Sequence, residues 1–270
     1  MRMLVVDAFT DRPFAGNPAA VCLLQDAADP VWMQRVAEEM KHSETAFVRP
    51  VEDPEADFEL RWFTPMVEVP LCGHATLGAA HALYSTGIVA PGGPIRFRTL
   101  KSGVLTVTGD GRGTLSMDFP ACPPEPVDVP EGLAEALGVE VGAAGRNSQH
   151  DLLAEVADEA AVRDLAPDVS AVARIDARGV IVTAAAARGS DHDFVSRFLA
   201  PRVLPGDGED PVTGAAHCAL APYWARRLGR DAMTGFQASA RGGYVGVAVR
   251  GDRVVLSGSA VTVLDGELRA

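Results

Sequence analysis

The feature that most limits how this chain can fold is an internal repeat. Asp57-Phe58-Glu59-Leu60-Arg61-Trp62-Phe63-Thr64-Pro65 lines up with Asp193-Phe194-Val195-Ser196-Arg197-Phe198-Leu199-Ala200-Pro201, both reading D-F-x-x-R-aromatic-apolar-x-P. At the same offset of 136, Gly78-Ala79-Ala80-His81 meets Gly214-Ala215-Ala216-His217. Across residues 57–83 and 193–219, nine of 27 pairs are identical without a gap, where composition alone gives roughly two. An offset near half of 270 residues predicts two homologous halves about a pseudo-twofold axis. The expected division is 1–117 and 118–270, with the last C-terminal strand a candidate to return to the first half. The Pro-rich stretch from Pro120 to Pro130 is the expected crossing.

Both halves read as α+β, a barrel-like sheet around a central helix. Short β-rich runs such as Leu4-Val5-Val6, Ala19-Ala20-Val21-Cys22-Leu23-Leu24 and Val104-Leu105-Thr106-Val107 sit between Gly, Pro and Asp, as strands do. The second half supplies Val180-Ile181-Val182, Tyr244 to Val249 and Val254-Val255-Leu256. Asp29-Pro30 offers an N-cap and a first-turn proline for a helix whose Trp32, Val36 and Met40 share one face. The run Ala75 to Ser85, closed by Gly87, is apolar or small on nearly every face, so it predicts a buried central helix. Its expected counterpart is Pro211 to Leu228, closed by Gly229, with Arg226-Arg227 suited to a helix C-terminus.

A net charge of −12 and a pI near 4.9 argue against nucleic acid or an anionic membrane surface as partner, since both attract clustered cations. No stretch approaches the ~18 apolar residues of a membrane span, and Asp7 interrupts the N-terminal apolar run before it resembles a secretory signal. Cys22, Cys72, Cys122 and Cys218 are spread singly, a pattern of reduced thiols rather than a disulfide frame or zinc site. A cytoplasmic location is expected.

If the halves face each other, the N-termini of the two central helices converge, and their unpaired N–H groups make a receptor for a carboxylate or phosphate. At the repeat offset His74 matches Asp210, each expected to open its helix, with Gly73 and Gly214 letting a ligand approach the backbone. Asp210 before Pro211 is equally the pattern of a plain N-cap, and His74 of a structural histidine. His81 and His217 read as satisfied core residues. Asp191-His192-Asp193 invites a metal assignment, but no second ligand cluster is near in sequence, and no metal is expected. Glu44, in Lys41-His42-Ser43-Glu44-Thr45-Ala46-Phe47-Val48, enters an apolar strand. That setting penalises its charge and suits it to proton transfer, although the same position fits a surface acid at a helix end. No G-x-S-x-G elbow, Walker A motif, H-E-x-x-H or dinucleotide fingerprint is present, so no cofactor is expected.

Together the motifs resemble the PhzF-like family of phenazine-biosynthesis-type isomerases. The resemblance rests on Asp7-Ala8-Phe9-Thr10, Phe14-Ala15-Gly16-Asn17-Pro18-Ala19-Ala20-Val21, Ser43-Glu44-Thr45-Ala46-Phe47, Pro70-Leu71-Cys72-Gly73-His74-Ala75-Thr76-Leu77-Gly78 and Glu209-Asp210-Pro211-Val212-Thr213-Gly214. It implies the diaminopimelate-epimerase fold, a homodimer, and a cofactor-independent proton shift on a small anionic metabolite similar to trans-2,3-dihydro-3-hydroxyanthranilate. In that family a glutamate shuttles the proton. Glu44 occupies its motif position, His74 and Asp210 match substrate-contacting residues, and Gly73 a backbone contact. The family pattern D-P-V-T-G-S ends here in Ala215, so a substrate-contacting hydroxyl is missing and the substrate is expected to differ. Two other functions compete: a non-catalytic small-molecule or protein-binding relative, and a two-base racemase or epimerase using Cys72. The second is disfavoured, because at the repeat offset Cys72 meets Gly208 and Cys218 meets Ala82.

Overall fold

In a computed structural model describing residues 1–204 and 206–269, the chain forms two compact units, Met1–Asp118 with Ser257–Ala270, and Phe119–Leu256. The first contains β1 (Arg2–Ala8), β2 (Asn17–Leu23), α1 (Pro30–Met40), β3 (Glu44–Asp53), β4 (Ala56–Phe63), β5 (Glu68–Val69), α2 (Gly73–Ser85), β6 (Ile95–Arg98), β7 (Val104–Gly109) and most of β8 (Leu115–Pro120). The second contains β9 (Glu125–Val127), α3 (Leu133–Leu137), β10 (Ala143–Arg146), β11 (Leu152–Glu155), α4 (Glu159–Arg163), α5 (Val169–Val172), β12 (Val180–Ala185), β13 (Phe194–Leu199), β14 (Glu209–Asp210), α6 (Gly214–Leu228), β15 (Ala232–Gln237), β16 (Gly243–Arg250) and most of β17 (Arg253–Gly258). The last strand, β18 (Ala260–Glu267), pairs antiparallel with β1.

Strand pairing repeats between the units. In the first, β1 is antiparallel to β2, β2 parallel to β3, β3 antiparallel to β4, and β4 antiparallel to β5 and parallel to β6. In the second, β10, β11, β12, β13, β14 and β15 follow the same order and sense. The D-F-x-x-R repeat has a structural purpose in each. Asp57 Oδ2 accepts the backbone N–H of Arg96 at 2.9 Å and its Oδ1 the Arg96 guanidinium; Asp193 Oδ2 likewise accepts the Thr234 N–H at 2.7 Å and its Oδ1 the Arg230 guanidinium. Each aspartate thus ties its strand to the parallel neighbour. Arg61 forks onto Glu68 and Arg197 onto Glu209 with N–O distances of 2.7–2.8 Å, clamping a two-residue strand against the repeat strand. Bidentate geometry makes these the stronger kind of ion pair.

The helices follow from their sequences, with shifted starts. α1 begins where Asp29 accepts the Val31 N–H and Pro30 opens the first turn; Met33, Val36 and Ala37 are buried, with Trp32 and Met40 packed beside them. α2 is buried continuously from His74 to Ala80, as its small, uncharged surface requires. It packs on β1, β2, β3 and β18. α6 begins at Gly214, not Pro211: the N-cap is Thr213, Pro211 lies outside the helix, and Asp210 belongs to β14. Asp210 therefore neither opens the helix nor caps it.

Candidate active site

Glu44 is the first residue of β3, opposite Ala19 on parallel β2, and its side chain is only 15% exposed. The turn after α1 delivers it: Lys41 adopts a left-handed conformation and ends the helix, so the chain reverses directly into the strand. His74 lies in the first turn of α2, and its Nε2 is 3.3 Å from Glu44 Oε2. Cys72, the N-cap residue of α2, has no side-chain capping bond; its Sγ is 3.4 Å from His74 Nδ1. Asn17, buried at the start of β2, places its amide Nδ2 3.2 Å from the same Nδ1. Three chain segments thus meet around one imidazole.

Burial pushes the His74 imidazole down to about 3, with the charge of His42 adding to the effect. His74 is therefore neutral at physiological pH, with one donor and one acceptor nitrogen. The amide of Asn17 donates to Nδ1, so the proton resides on Nε2 and points at Glu44. A hydrogen bond of this kind fixes both the tautomer and the ring orientation. Asp7, buried on β1, accepts the Phe14 N–H at 2.7 Å and holds the turn that leads to Asn17. Phe14 itself has a positive φ of 66°.

In the second unit, Asp210 is 8% exposed and its Oδ2 accepts the Thr213 hydroxyl at 2.6 Å. Gln237 braces the pair: its Nε2 donates to the Asp210 carbonyl at 2.7 Å, and its Oε1 accepts the Thr213 N–H at 2.8 Å. His217 Nδ1 donates to the Thr213 carbonyl at 2.8 Å, and His81 Nε2 meets Thr262 Oγ1 at 3.0 Å. These two histidines have the structural roles expected of them, although His217 Nε2 finds no hydrogen-bond partner among the described residues. Asp191-His192-Asp193 is absorbed by other contacts, Asp191 by Tyr244, His192 by Glu159 and Asp193 by Arg230.

The structural repeat corrects the gapless alignment. Phe63 faces Glu68 across β4 and β5, and Leu199 faces Glu209 across β13 and β14. The offset is therefore 136 in the strands but 141 beyond the hairpin, because residues 200–208 form a longer connection than 64–67. Gly73 then matches Gly214, Cys72 matches Thr213 rather than Gly208, and His74 matches Ala215 rather than Asp210. Thr76 matches His217, and both side chains donate to the carbonyl of their helix's N-cap residue. Upstream, Thr45 faces Phe63 as Val180 faces Leu199, so Glu44 corresponds to Gly179.

The family model for phenazine biosynthesis-like (PhzC–PhzF) proteins matches residues 6–266. The chain belongs to this family. Similar relatives include an uncharacterized isomerase of Halalkalibacterium halodurans, 46% identical over 265 residues that cover 98% of this chain and 97% of the relative. The crystal structure of a PhzF-family protein from Enterococcus faecalis is 38% identical and superposes with a TM-score of 0.91, covering 100% of this chain and 99% of that one. The PhzF fold also extends to a probable proline racemase from Agrobacterium radiobacter, 16% identical with a TM-score of 0.65 over 99% of this chain and 92% of that one. The α+β, diaminopimelate-epimerase-like class read from the sequence is therefore the fold. Sequence reasoning found Glu44 and His74, which the structure brings together, and Asp210, which lies in the second unit. It passed over Asn17, although the motif Phe14 to Val21 contains it; a polar residue between Gly16 and Pro18 is the signal that was available.

Proposed function

We propose that this protein is a cofactor-independent isomerase in which Glu44 takes a proton from a carbon next to a π system of a small anionic metabolite and returns it elsewhere on the same molecule. The observation carrying this reading is the Glu44–His74 pair at 3.3 Å, a carboxylate steadied by a neutral imidazole whose tautomer Asn17 sets. A base within hydrogen-bond reach of an oriented partner is the minimum geometry for general acid–base work. The family resemblance gives His74, and separately Asp210, the role of orienting the substrate's amino or hydroxyl groups. The backbone N–H groups at the start of α2, at Gly73, receive its carboxylate. Ala215 removes one hydrogen-bond donor, which costs about 0.5–1.5 kcal/mol of binding for a substrate carrying the matching group and favours one without it. The resemblance further supports a homodimer.

No helix among the described residues is long and apolar enough to cross a membrane. Turnover in deuterium oxide of candidate cyclic hydroxy or amino acids bearing a double bond tests the proposal. Wild type incorporates solvent deuterium at the isomerised carbon, and Glu44→Gln loses at least 100-fold in rate. Turnover by Glu44→Gln at the wild-type rate rules out the assignment.

A further inference from the structure

Glu44, Cys72 and His74 contribute a carboxylate oxygen, a thiol sulfur and an imidazole nitrogen that all lie within 4.8 Å of one another. They are the only such group of three or more His, Cys, Asp or Glu side chains among the described residues. We propose that this triad binds a borderline divalent cation of the zinc class.

The dimensions agree. A tetrahedral ion with bonds of about 2.0–2.3 Å holds its ligand atoms roughly 3.3–3.6 Å apart. Glu44 Oε2 and His74 Nε2 are already 3.3 Å apart, and Cys72 Sγ is 4.0 Å from the same nitrogen. In the proposed site that edge, and the edge from the sulfur to the carboxylate, which is within 4.8 Å, close by side-chain rotation when the ion binds. The donor set selects the metal: sulfur and imidazole nitrogen suit Zn²⁺ or Co²⁺, whereas Ca²⁺ and Mg²⁺ require shells of oxygen. Three protein ligands leave a fourth position for water or a substrate oxygen.

Binding displaces the thiol proton, and no proton need leave an imidazole that is already neutral. With the metal on Nε2, the ring proton moves to Nδ1, where the Asn17 amide accepts it after turning over to present its oxygen. A second-shell acceptor on the distal nitrogen is the usual support of a ligating histidine. Ligation also occupies the carboxylate, so the ion inhibits proton transfer. That consequence rests on the function proposed above; the binding itself does not.

The test is a titration of chelator-treated, reduced, full-length protein with Co²⁺, followed by absorbance. One equivalent gives a near-ultraviolet thiolate-to-cobalt band together with intense visible bands of tetrahedral cobalt. Cys72→Ser abolishes the thiolate band, and Glu44→Gln and His74→Gln each weaken binding at least tenfold, with circular dichroism confirming their fold. Single serine variants of Cys22, Cys122 and Cys218 retain the band. Absence of the band in wild type, its survival in Cys72→Ser, or its loss in one of the other three overturns the site. Protein that shows the full spectrum yet never exchanges a substrate proton supports the metal site while removing the isomerase reading, so the two proposals fail separately.

Discussion

Lowering the pH from 8 to 5 destabilises this fold by several kcal/mol before most carboxylates are protonated. Burial holds His74 neutral down to about 3 and His217 down to about 4, in the latter against the hydrogen bond to the Thr213 carbonyl; burial also lowers His81. In the unfolded chain each imidazole titrates near 6.5. Between the folded and unfolded values the unfolded state binds protons that the native state refuses, so stability declines as pH falls and is flat above about 7. At pH 5 the linkage costs about 2 kcal/mol for each of His74 and His217, a large share of the 5–15 kcal/mol typical of a domain. Urea denaturation at pH 8, 7, 6, 5.5 and 5 measures it. His217→Gln, which keeps a side-chain donor, should remove about half of the combined His74 and His217 loss. A midpoint that stays constant or rises from pH 7 to pH 5 contradicts the burial argument, as does a His217→Gln variant with the wild-type slope.

Three further outcomes follow from the same geometry. Arg197→Met leaves Glu209 enclosed without its guanidinium, and the Leu165 carbonyl without its donor, and should cost about 3–5 kcal/mol in denaturant titration; Arg2→Met at the exposed Asp265 pair should leave the midpoint unchanged. Gly16→Ala places a Cβ 2.1 Å from the Ala8 carbonyl at a φ of +65°, whereas Gly87→Ala at +74° meets open space; the second should cost about 1–2 kcal/mol of backbone strain and the first distinctly more, read as a larger drop in Tm. In ¹⁵N spectra of the imidazole, His74 should be the Nε2–H tautomer in wild type and a mixture in Asn17→Leu; an Nδ1–H tautomer in wild type refutes the role given to Asn17.

The repeat strands, the buried character of α2 and the amphipathic α1 were all legible, because each rests on a local pattern: a motif, a period, a cap. The pairing of Glu44 with His74 was legible only through family motifs, since nothing in the 29 intervening residues says that the turn after α1 returns to the start of α2. Asn17 was hidden for another reason. A short amide side chain at a strand start looks like a turn residue until the imidazole it orients is placed beside it.

The longer connection between β13 and β14 bears on mechanism, because it shifts the correspondence between the two units from 136 to 141. Loops lengthen at little entropic cost, so a gapless comparison is safe within a strand and unsafe across a hairpin, and alanine-rich helices supply false matches on the far side. The frame set by hydrogen-bonded registers changes which residue corresponds to which. In the second unit the counterpart of Glu44 is Gly179, that of His74 is Ala215 and that of Cys72 is Thr213. Gly179 has no room for a carboxylate, because even a Cβ there would sit 2.3 Å from the Phe198 ring. A racemase with matched bases needs an acid–base group at corresponding places in both halves. Here the second unit carries a hydrogen, a methyl and a hydroxyl at those three places, so the acid–base groups proposed at Glu44, Cys72 and His74 have no copy there. One-sided chemistry favours a single group that removes a proton and puts it back.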